Sequence, residues 1–147
     1  MAFHRRCQYF PAMGIDQAIA ELRPLNEPVP KPARLPTEAD VSAAEYLLGL
    51  EFPADFRRYL LEASDVVYGT KEPCQIAPGR HRDLSTTAQE AWQQGVPRTW
   101  LPFCEDNGDY YCLDGSVVRY WSHDGTPDEH WPDLATWIVQ VWIGESA

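Results

Sequence analysis

Hydrophobic and polar positions between residues 100 and 121 follow the pattern of three short strands joined by tight turns. Asn107-Gly108 and Asp114-Gly115 are dipeptides that two-residue hairpin turns prefer, because both central positions of such turns need positive φ. Between them, residues 110–113 are types that suit a pleated, half-buried surface. The pattern therefore predicts an antiparallel meander with carboxylates crowding its turns.

Apolar residues at helical spacing predict three helices between residue 37 and the meander. The first, 37–49, opens with a threonine and an aspartate spaced as a capping box and ends at a glycine. The second, 53–63, has a proline in its first turn. The third, 86–95, also begins with a possible capping box. Two short strands, 66–68 and 75–76, are expected between the second and third helices.

A last helix is predicted after the meander, with Asp133 as its N-cap. Its apolar residues recur at i, i+3, i+4, i+7 and i+8, the stripe of a helix that lies against a sheet. They are Leu134, Trp137, Ile138, Val141 and Trp142. Helices, then mostly strands, then a helix predict an α+β fold, in which helices pack on an antiparallel sheet.

The N-terminal quarter of the chain has a different composition. Five prolines within thirteen residues exclude a helix and predict an extended, polyproline-like segment. A short helix capped by Asp16 and ended by Pro24 precedes it. We therefore predict a Pro-rich N-terminal extension, residues 1–36, that is dispensable for folding, and a single domain, residues 37–147.

Composition and charge narrow the class of protein. Hydrophobic residues make up 44% of the 147 residues, which argues against disorder. No apolar run approaches the roughly 20 residues that cross a bilayer, and the N-terminus lacks a secretory pattern, so we expect a cytoplasmic protein. The net charge is −10, and residues 100–147 hold nine acidic residues against one basic. Such a field repels nucleic acid and anionic membranes and attracts basic proteins, although solubility alone is the plainer explanation.

Other chemistry is weakly indicated. His and acidic residues over 123–130 match no metal-ligand spacing, so a solvated loop is the better interpretation. Residues 106–109 resemble part of a calcium loop but lack its glutamate at the twelfth position. Glu105 and Asp106 are adjacent on a strand and point to opposite faces, which disfavours a shared acid–base role. Without a nucleophile motif or a phosphate-binding loop, we expect no enzyme, cofactor or metal.

The four cysteines, Cys7, Cys74, Cys104 and Cys112, contain no CxxC pair and are expected to be reduced core thiols. Cys104 and Cys112 could face each other across the first hairpin. A reducing compartment nevertheless opposes a disulfide between them.

Two blocks of the sequence resemble the SUKH superfamily. Residues 45–61, EYLLGLEFPADFRRYLL, are similar to its helix, glycine, hydrophobic-proline, helix signature. Residues 103–115, with Glu-Asp-Asn-Gly-Asp and Leu-Asp, are similar to its hairpin, in which a glycine-acidic turn leads into a strand ending in Asp. The resemblance spans residues 37–143. It departs from the family at Ser64-Asp65, where a more typical member has Asn-Gly.

The resemblance implies a single α+β domain, no catalytic residues and one of two roles. These are a bacterial immunity protein against a polymorphic toxin and a relative of the Smi/Knr cell-wall-synthesis regulators. Immunity is the commoner bacterial role, so we expect a protein that neutralises a basic toxin domain by stoichiometric binding. A regulatory scaffold that binds a cellular enzyme is the alternative, and a hydrolase that uses the meander carboxylates is least favoured.

The acidic end of the meander is the predicted partner-binding surface. Charge complementarity raises association rates and fixes specificity, and Tyr and Trp are frequent anchors of protein interfaces. The predicted contact residues are Glu105, Asp106, Asp109, Tyr110, Asp114, Trp121, Asp124, Asp128 and Glu129. The helices around Arg57 and Arg58 are the alternative interface.

Overall fold

A computed structural model describes residues 14–125 and 127–146 and contains a four-stranded antiparallel sheet. Its strands are β1 (Leu101–Asp106), β2 (Asp109–Asp114), β3 (Val117–Trp121) and β4 (His130–Trp131), hydrogen-bonded in that order. The predicted meander and the α+β fold class are confirmed. The two-residue β4 is an addition, which pairs with β3 at the sheet edge.

Helices lie before and after the sheet in the chain. The first is α1 (Ile15–Leu22), followed by a 3-10 turn (Arg23–Leu25). The N-cap of α1 is Gly14, so the predicted cap at Asp16 is wrong, and Asp16 lies within the first turn. Then come α2 (Glu38–Leu48), α3 (Ala54–Glu62) and α4 (Leu84–Gln94). After the sheet, α5 (Leu134–Trp137) continues into a π-helix (Ile138–Ile143) and then α6 (Gly144–Ser146).

Side-chain caps explain where α2 and α4 begin. The Thr37 hydroxyl accepts from the Asp40 N–H at 3.2 Å, and the Asp40 carboxylate accepts from the Thr37 N–H at 2.9 Å. This reciprocal pair is the predicted capping box of α2. The cap of α4 lies three residues earlier than predicted, because the Asp83 carboxylate accepts from the Thr86 N–H at 3.2 Å.

The segment between α3 and α4 forms no strand longer than an isolated bridge. Tyr68 and Gln75 each make one such bridge, and the partner of Gln75 is Asp83 at the start of α4. The predicted strands 66–68 and 75–76 are therefore wrong. Their β-branched and apolar residues pack as a loop against the core instead of extending the sheet.

The last helix begins as predicted and then changes its winding. The Asp133 carboxylate accepts from the Thr136 N–H at 2.8 Å and caps α5. From Ile138 onward the backbone is π-helical, yet the predicted apolar stripe remains buried. The Trp142 indole N–H donates to the Tyr68 carbonyl at 2.9 Å, which joins this helix to the loop after α3.

Hydrophobic clusters cover both faces of the sheet. The larger one joins α1, α3, α5 and the π-helix to the face that carries Tyr111, where the Tyr111 and Trp137 ring centroids lie 5.1 Å apart. The smaller one consists of Ala91, Val96, Tyr110, Cys112 and Trp121. The last helix therefore packs on the Tyr111 face, whereas α4 contributes to both clusters, with Leu84 and Ala88 in the larger and Ala91 in the smaller.

Helix α1 belongs to the larger cluster. Ile15, Ala18, Ile19 and Leu22 are each at most 8% exposed, and α1 contacts α3, α5 and the π-helix. This packing does not fit a boundary at residue 36 between an extension (1–36) and a domain (37–147), because the apolar stripe of α1 is part of the domain core. Residues 1–13 of the predicted extension lie outside the described residues.

Cys104 and Cys112 do not face each other across the first hairpin. Cys104 pairs with Tyr111 and Cys112 with Pro102, and the two thiols belong to different clusters. Both are free and buried, as is Cys74. Burial raises the pKa of all three thiols, which disfavours thiolate chemistry. Cys7 lies outside the described residues.

Candidate protein-binding surface

Consecutive turns of a meander lie at opposite ends of the sheet. The turn between β1 and β2 places Glu105, Asp106 and Asp109 at one end. Its central residues have φ of +54° and +91°, which an Asn-Gly pair adopts readily. The turn between β2 and β3 places Asp114 at the other end. The prediction that Asp114 joins the other carboxylates is therefore corrected by the topology.

Strand β3 returns the chain to the first end, where the following loop adds further carboxylates. The resulting group is referred to as the acidic edge and consists of Glu105, Asp106, Asp109, Asp124, Asp128 and Glu129. All of its residues are exposed or half-buried. Arg119 is the one Lys or Arg after residue 98. It forms an ion pair with Asp114 at 2.8 Å, at the other end of the sheet, and not with the acidic edge.

Two side chains that sequence reasoning missed organise the centre of the acidic edge. The Tyr120 hydroxyl lies 3.2 Å from an Asp106 oxygen and 3.1 Å from an Asp109 oxygen, and it donates to one of them at a time. His123 donates its backbone N–H to Asp109 at 3.2 Å, and its Nδ1 lies 2.8 Å from the same carboxylate oxygen. These bonds fix the direction of the Asp109 carboxylate.

The register of the second hairpin could have predicted that Tyr120 and His123 lie near Asp109. Its turn pairs Tyr110 with Trp121. The residue before Tyr110 therefore lies beside the residues just after Trp121. Extending the pairing by one position places Asp109 opposite Ser122, directly before His123, without any knowledge of the tertiary fold.

Charges and hydrogen bonds at the acidic edge set its protonation. Burial raises the pKa of Asp109, but hydrogen bonds from His123 and Tyr120 outweigh burial and leave that pKa below its usual 3.8. The Asp109 carboxylate, with a smaller contribution from Asp124, raises the pKa of His123 above its usual 6.5. Burial, followed by the hydrogen bond to Asp109, raises the pKa of Tyr120. Near neutral pH, Asp109 is thus ionised and Tyr120 is neutral.

Tyr110 and Trp121 are not available as surface anchors. Tyr110 is 3% exposed and Trp121 is 9% exposed, with their ring centroids 6.1 Å apart in the smaller cluster. The Tyr110 hydroxyl accepts from the Gln94 amide at 3.1 Å, which ties it to α4. Their prediction as exposed contact residues is wrong, because α4 covers the sheet face on which they lie.

Across residues 14–125 and 127–146, no three His, Cys, Asp or Glu side chains are arranged to hold a metal ion. Within the same residues, no helix is both long and apolar enough to cross a membrane.

Comparison with known proteins identifies the family. The SUKH_5 family, described as SMI1-KNR4 cell-wall, matches residues 15–143. A solved structure described as "Crystal structure of protein from Pseudomonas syringae pv. tomato" is 38% identical, covering 88% of this chain and 98% of that chain with a TM-score of 0.83. No curated protein matches the chain. The chain therefore belongs to the SMI1-KNR4 family of the SUKH superfamily, and the resemblance seen in the sequence is confirmed.

The family match also bears on the extent of the domain. It begins at Ile15, which is the first residue of α1, and not at residue 37. The match ends at Ile143, the last residue of the π-helix. The family domain thus includes α1, in agreement with the burial of that helix in the larger cluster.

Proposed function

We propose that this protein is a toxin-immunity protein that neutralises a basic toxin domain by one-to-one binding. The acidic edge is the observation that carries the proposal: six carboxylates converge at one end of the sheet. Among the described residues, their charged neighbour is His123 and no Lys or Arg pairs with them. A group of negative charges left without internal counter-ions favours a basic partner.

Physical chemistry connects this surface to neutralisation. A toxin that acts on nucleic acid needs a basic cleft for phosphates, and an acidic surface can occupy that cleft instead. Tyr120 and His123 hold the Asp109 carboxylate in one direction before binding, which lowers the entropy lost on association. Charge complementarity then raises the association rate and excludes acidic proteins.

A hydrolase that uses the same carboxylates is less well supported. General acid catalysis near neutral pH needs a carboxylic acid whose pKa is raised. The pKa of Asp109, a half-buried carboxylate of the acidic edge, is lowered by its hydrogen bonds despite its burial. SUKH proteins are also generally non-enzymatic, so we propose binding and not turnover.

The test is neutralisation of a toxin encoded beside this gene. Co-expression of the parent protein should abolish the toxicity of the neighbouring reading frame, and the two proteins should co-purify in equal amounts. A variant with Asp124→Asn and Glu129→Gln removes two exposed charges whose carboxylates are not partners of the Tyr120 hydroxyl. It should associate several-fold more slowly, with a weaker dependence on salt, while its dissociation rate changes little.

A matched control separates the acidic edge from net charge. Glu27→Gln with Glu90→Gln removes the same charge from two exposed positions outside the acidic edge. This control should bind like the parent in surface-binding kinetics at two salt concentrations. Equal slowing of both variants would mean that only total charge matters, and parental rates for both would place the interface elsewhere.

The cell-wall description of the family favours a second candidate function. In that case the protein is a regulator that binds a cellular enzyme. The two candidates differ in what co-purifies from the native cell and in the effect of deletion. An enzyme partner, together with a cell-wall phenotype in the absence of any toxin, would favour the regulator.

A further inference from the structure

Helix α2 has an apolar stripe on its core side and a stripe of four apolar residues and one serine on its solvent side. Val41 and Leu48 are buried. The opposite stripe is referred to as the outer face of α2 and consists of Ala39, Ser42, Ala43, Tyr46 and Leu47. These residues follow the i, i+3, i+4, i+7, i+8 spacing of a packed helix face, yet all five are exposed.

Exposure is extreme at the C-terminal end of this face. Tyr46 is 91% exposed and Leu47 is 63% exposed, whereas the next large hydrophobic side chain in the described part of the chain, Leu35, is 36% exposed. Single exposed apolar residues are ordinary, but two large ones that continue a helical stripe mark an interaction surface. Tyr is also among the residues that most often anchor interfaces.

Side-chain size along the outer face is self-complementary. Small residues occupy its N-terminal half and large residues its C-terminal half. If two copies pack antiparallel about a two-fold axis between positions 42 and 43, Tyr46 of each copy covers Ala39 of the other. Ser42 and Ala43 then meet at the axis, where small side chains let the helices approach closely.

Local charge also favours a second copy over a basic partner. The whole chain carries −10, so two copies can meet only where their charges are compensated locally. Two of the three acidic residues of α2 have such compensation, because Arg57 pairs with Glu38 at 2.8 Å and with Glu45 at 2.5 Å. The third, Asp40, is bound to the Thr37 N–H in the capping box. The acidic edge lacks an equivalent arginine.

We propose that the outer face of α2 is a homodimer interface in which two antiparallel α2 helices pack about a two-fold axis near Ala43. A contact built on one 11-residue helix is smaller than the about 800 Å² per partner of a stable interface. The dimer therefore forms at high protein concentration and exchanges readily. This inference is independent of toxin binding, and its test uses the protein alone.

Analytical ultracentrifugation of the full chain over a range of concentrations gives the first test. The parent should shift from monomer to dimer as its concentration rises. Leu47→Glu should remove the dimer, because it buries a charge against the second copy. Ala20→Glu on the exposed side of α1 adds the same charge elsewhere and should leave the dimer unchanged. A parent that stays monomeric at every concentration overturns the proposal.

Cysteine cross-linking tests the register of the two helices. Ala43→Cys should form a disulfide-linked dimer under mild oxidation, because the two copies of position 43 meet at the axis. Ala39→Cys should not, since its two copies are separated by seven helical residues, about 10 Å, and a disulfide needs Cα atoms within about 7 Å. Ala39→Cys combined with Tyr46→Cys should cross-link again.

The parent protein under the same oxidation gives the background, because its three described cysteines are buried. Cross-linking of Ala39→Cys as fast as Ala43→Cys would overturn the antiparallel register. Circular dichroism melts of each variant show whether a lost dimer results from unfolding or from the loss of the interface. A variant that melts like the parent but has lost the dimer supports the interface.

Discussion

The two faces of the sheet are covered by hydrophobic clusters of very different size. On the Tyr111 face, helices from both ends of the chain join one large cluster, which includes α1, α5 and the π-helix. On the Tyr110 face, Ala91 of α4 and Val96 of the loop after it cover three strand residues, and the resulting cluster has five buried residues. The first face therefore links distant parts of the chain, and the second links α4 to its neighbours in sequence.

Two tryptophans show what this difference means. Trp137 is fully buried, and its ring lies 5.0 Å from that of Phe103 and 5.1 Å from that of Tyr111. Trp121 is 9% exposed, and its nearest aromatic contact is Tyr110 at 6.1 Å. We therefore expect the large face to contribute most of the free energy of folding. The small face supports α4 and the border of the acidic edge.

The largest expected effect is that of Trp137→Ala. Truncation of a fully buried tryptophan costs about 3–5 kcal/mol through lost burial and a residual cavity. Trp137→Phe should cost much less, because the buried indole N–H has no hydrogen-bond partner to lose. Urea unfolding measures both variants. An unchanged midpoint for Trp137→Ala would mean that the last helix is not docked on the large face.

Leu22→Ala should come next, at about 2–5 kcal/mol, because Leu22 is fully buried in the large cluster. The exposed Gln17→Ala on the same helix is the control and should stay within about 0.5 kcal/mol of the parent. Removal of residues 1–36 should destabilise the protein further, since it deletes the whole stripe of α1. If Leu22→Ala and the truncation both melt like the parent, the N-terminal segment is dispensable after all.

Trp121→Ala should have a smaller effect, about 2–3 kcal/mol, at or below the low end of the range for buried tryptophans. Its ring has fewer aromatic neighbours than that of Trp137, and part of it reaches solvent. The substitution should lower the unfolding midpoint, because Trp121 is a core residue. It should not act mainly by raising the dissociation rate of a bound partner. A loss equal to that of Trp137→Ala would remove the contrast between the two faces.

The smallest effect is a pH dependence at the acidic edge. Because Asp109 raises the pKa of His123 above 6.5, the protonated ring stabilises the fold fully below pH 6.5, and this contribution is lost as the pH rises through the folded pKa. NMR titration should show the His123 pKa falling toward its usual value in Asp109→Asn. A His123 pKa that does not respond to this substitution would show that the two groups are not coupled.

Local chemistry let the sequence alone determine the meander and the starts of α2 and of the last helix. Asn107-Gly108 forms the first hairpin turn with positive φ at both residues, which Asn and Gly tolerate better than other types. The second turn lies one residue later than predicted, because Asp114 still pairs with Val117 in the sheet and Gly115, with a φ of +60°, begins the turn. Asp40 and Asp133 cap their helices through bonds to backbone groups three residues away. Such interactions span a few residues, so the printed order of residues is sufficient to predict them.

Tertiary structure decided what covers each apolar surface. Tyr110 and Tyr111 alternate along β2 as a strand predicts, but only the position of α4 buries Tyr110 and removes it from the binding surface. Docking of α1 onto the α5 and π-helix region, and not its weak local signal, makes Leu22 a core residue. Burial depends on contacts between residues far apart in the chain, whereas sequence periodicity records only that a face is apolar. The outer face of α2 has the spacing of a packed helix face, yet it is exposed, so periodicity alone does not predict burial.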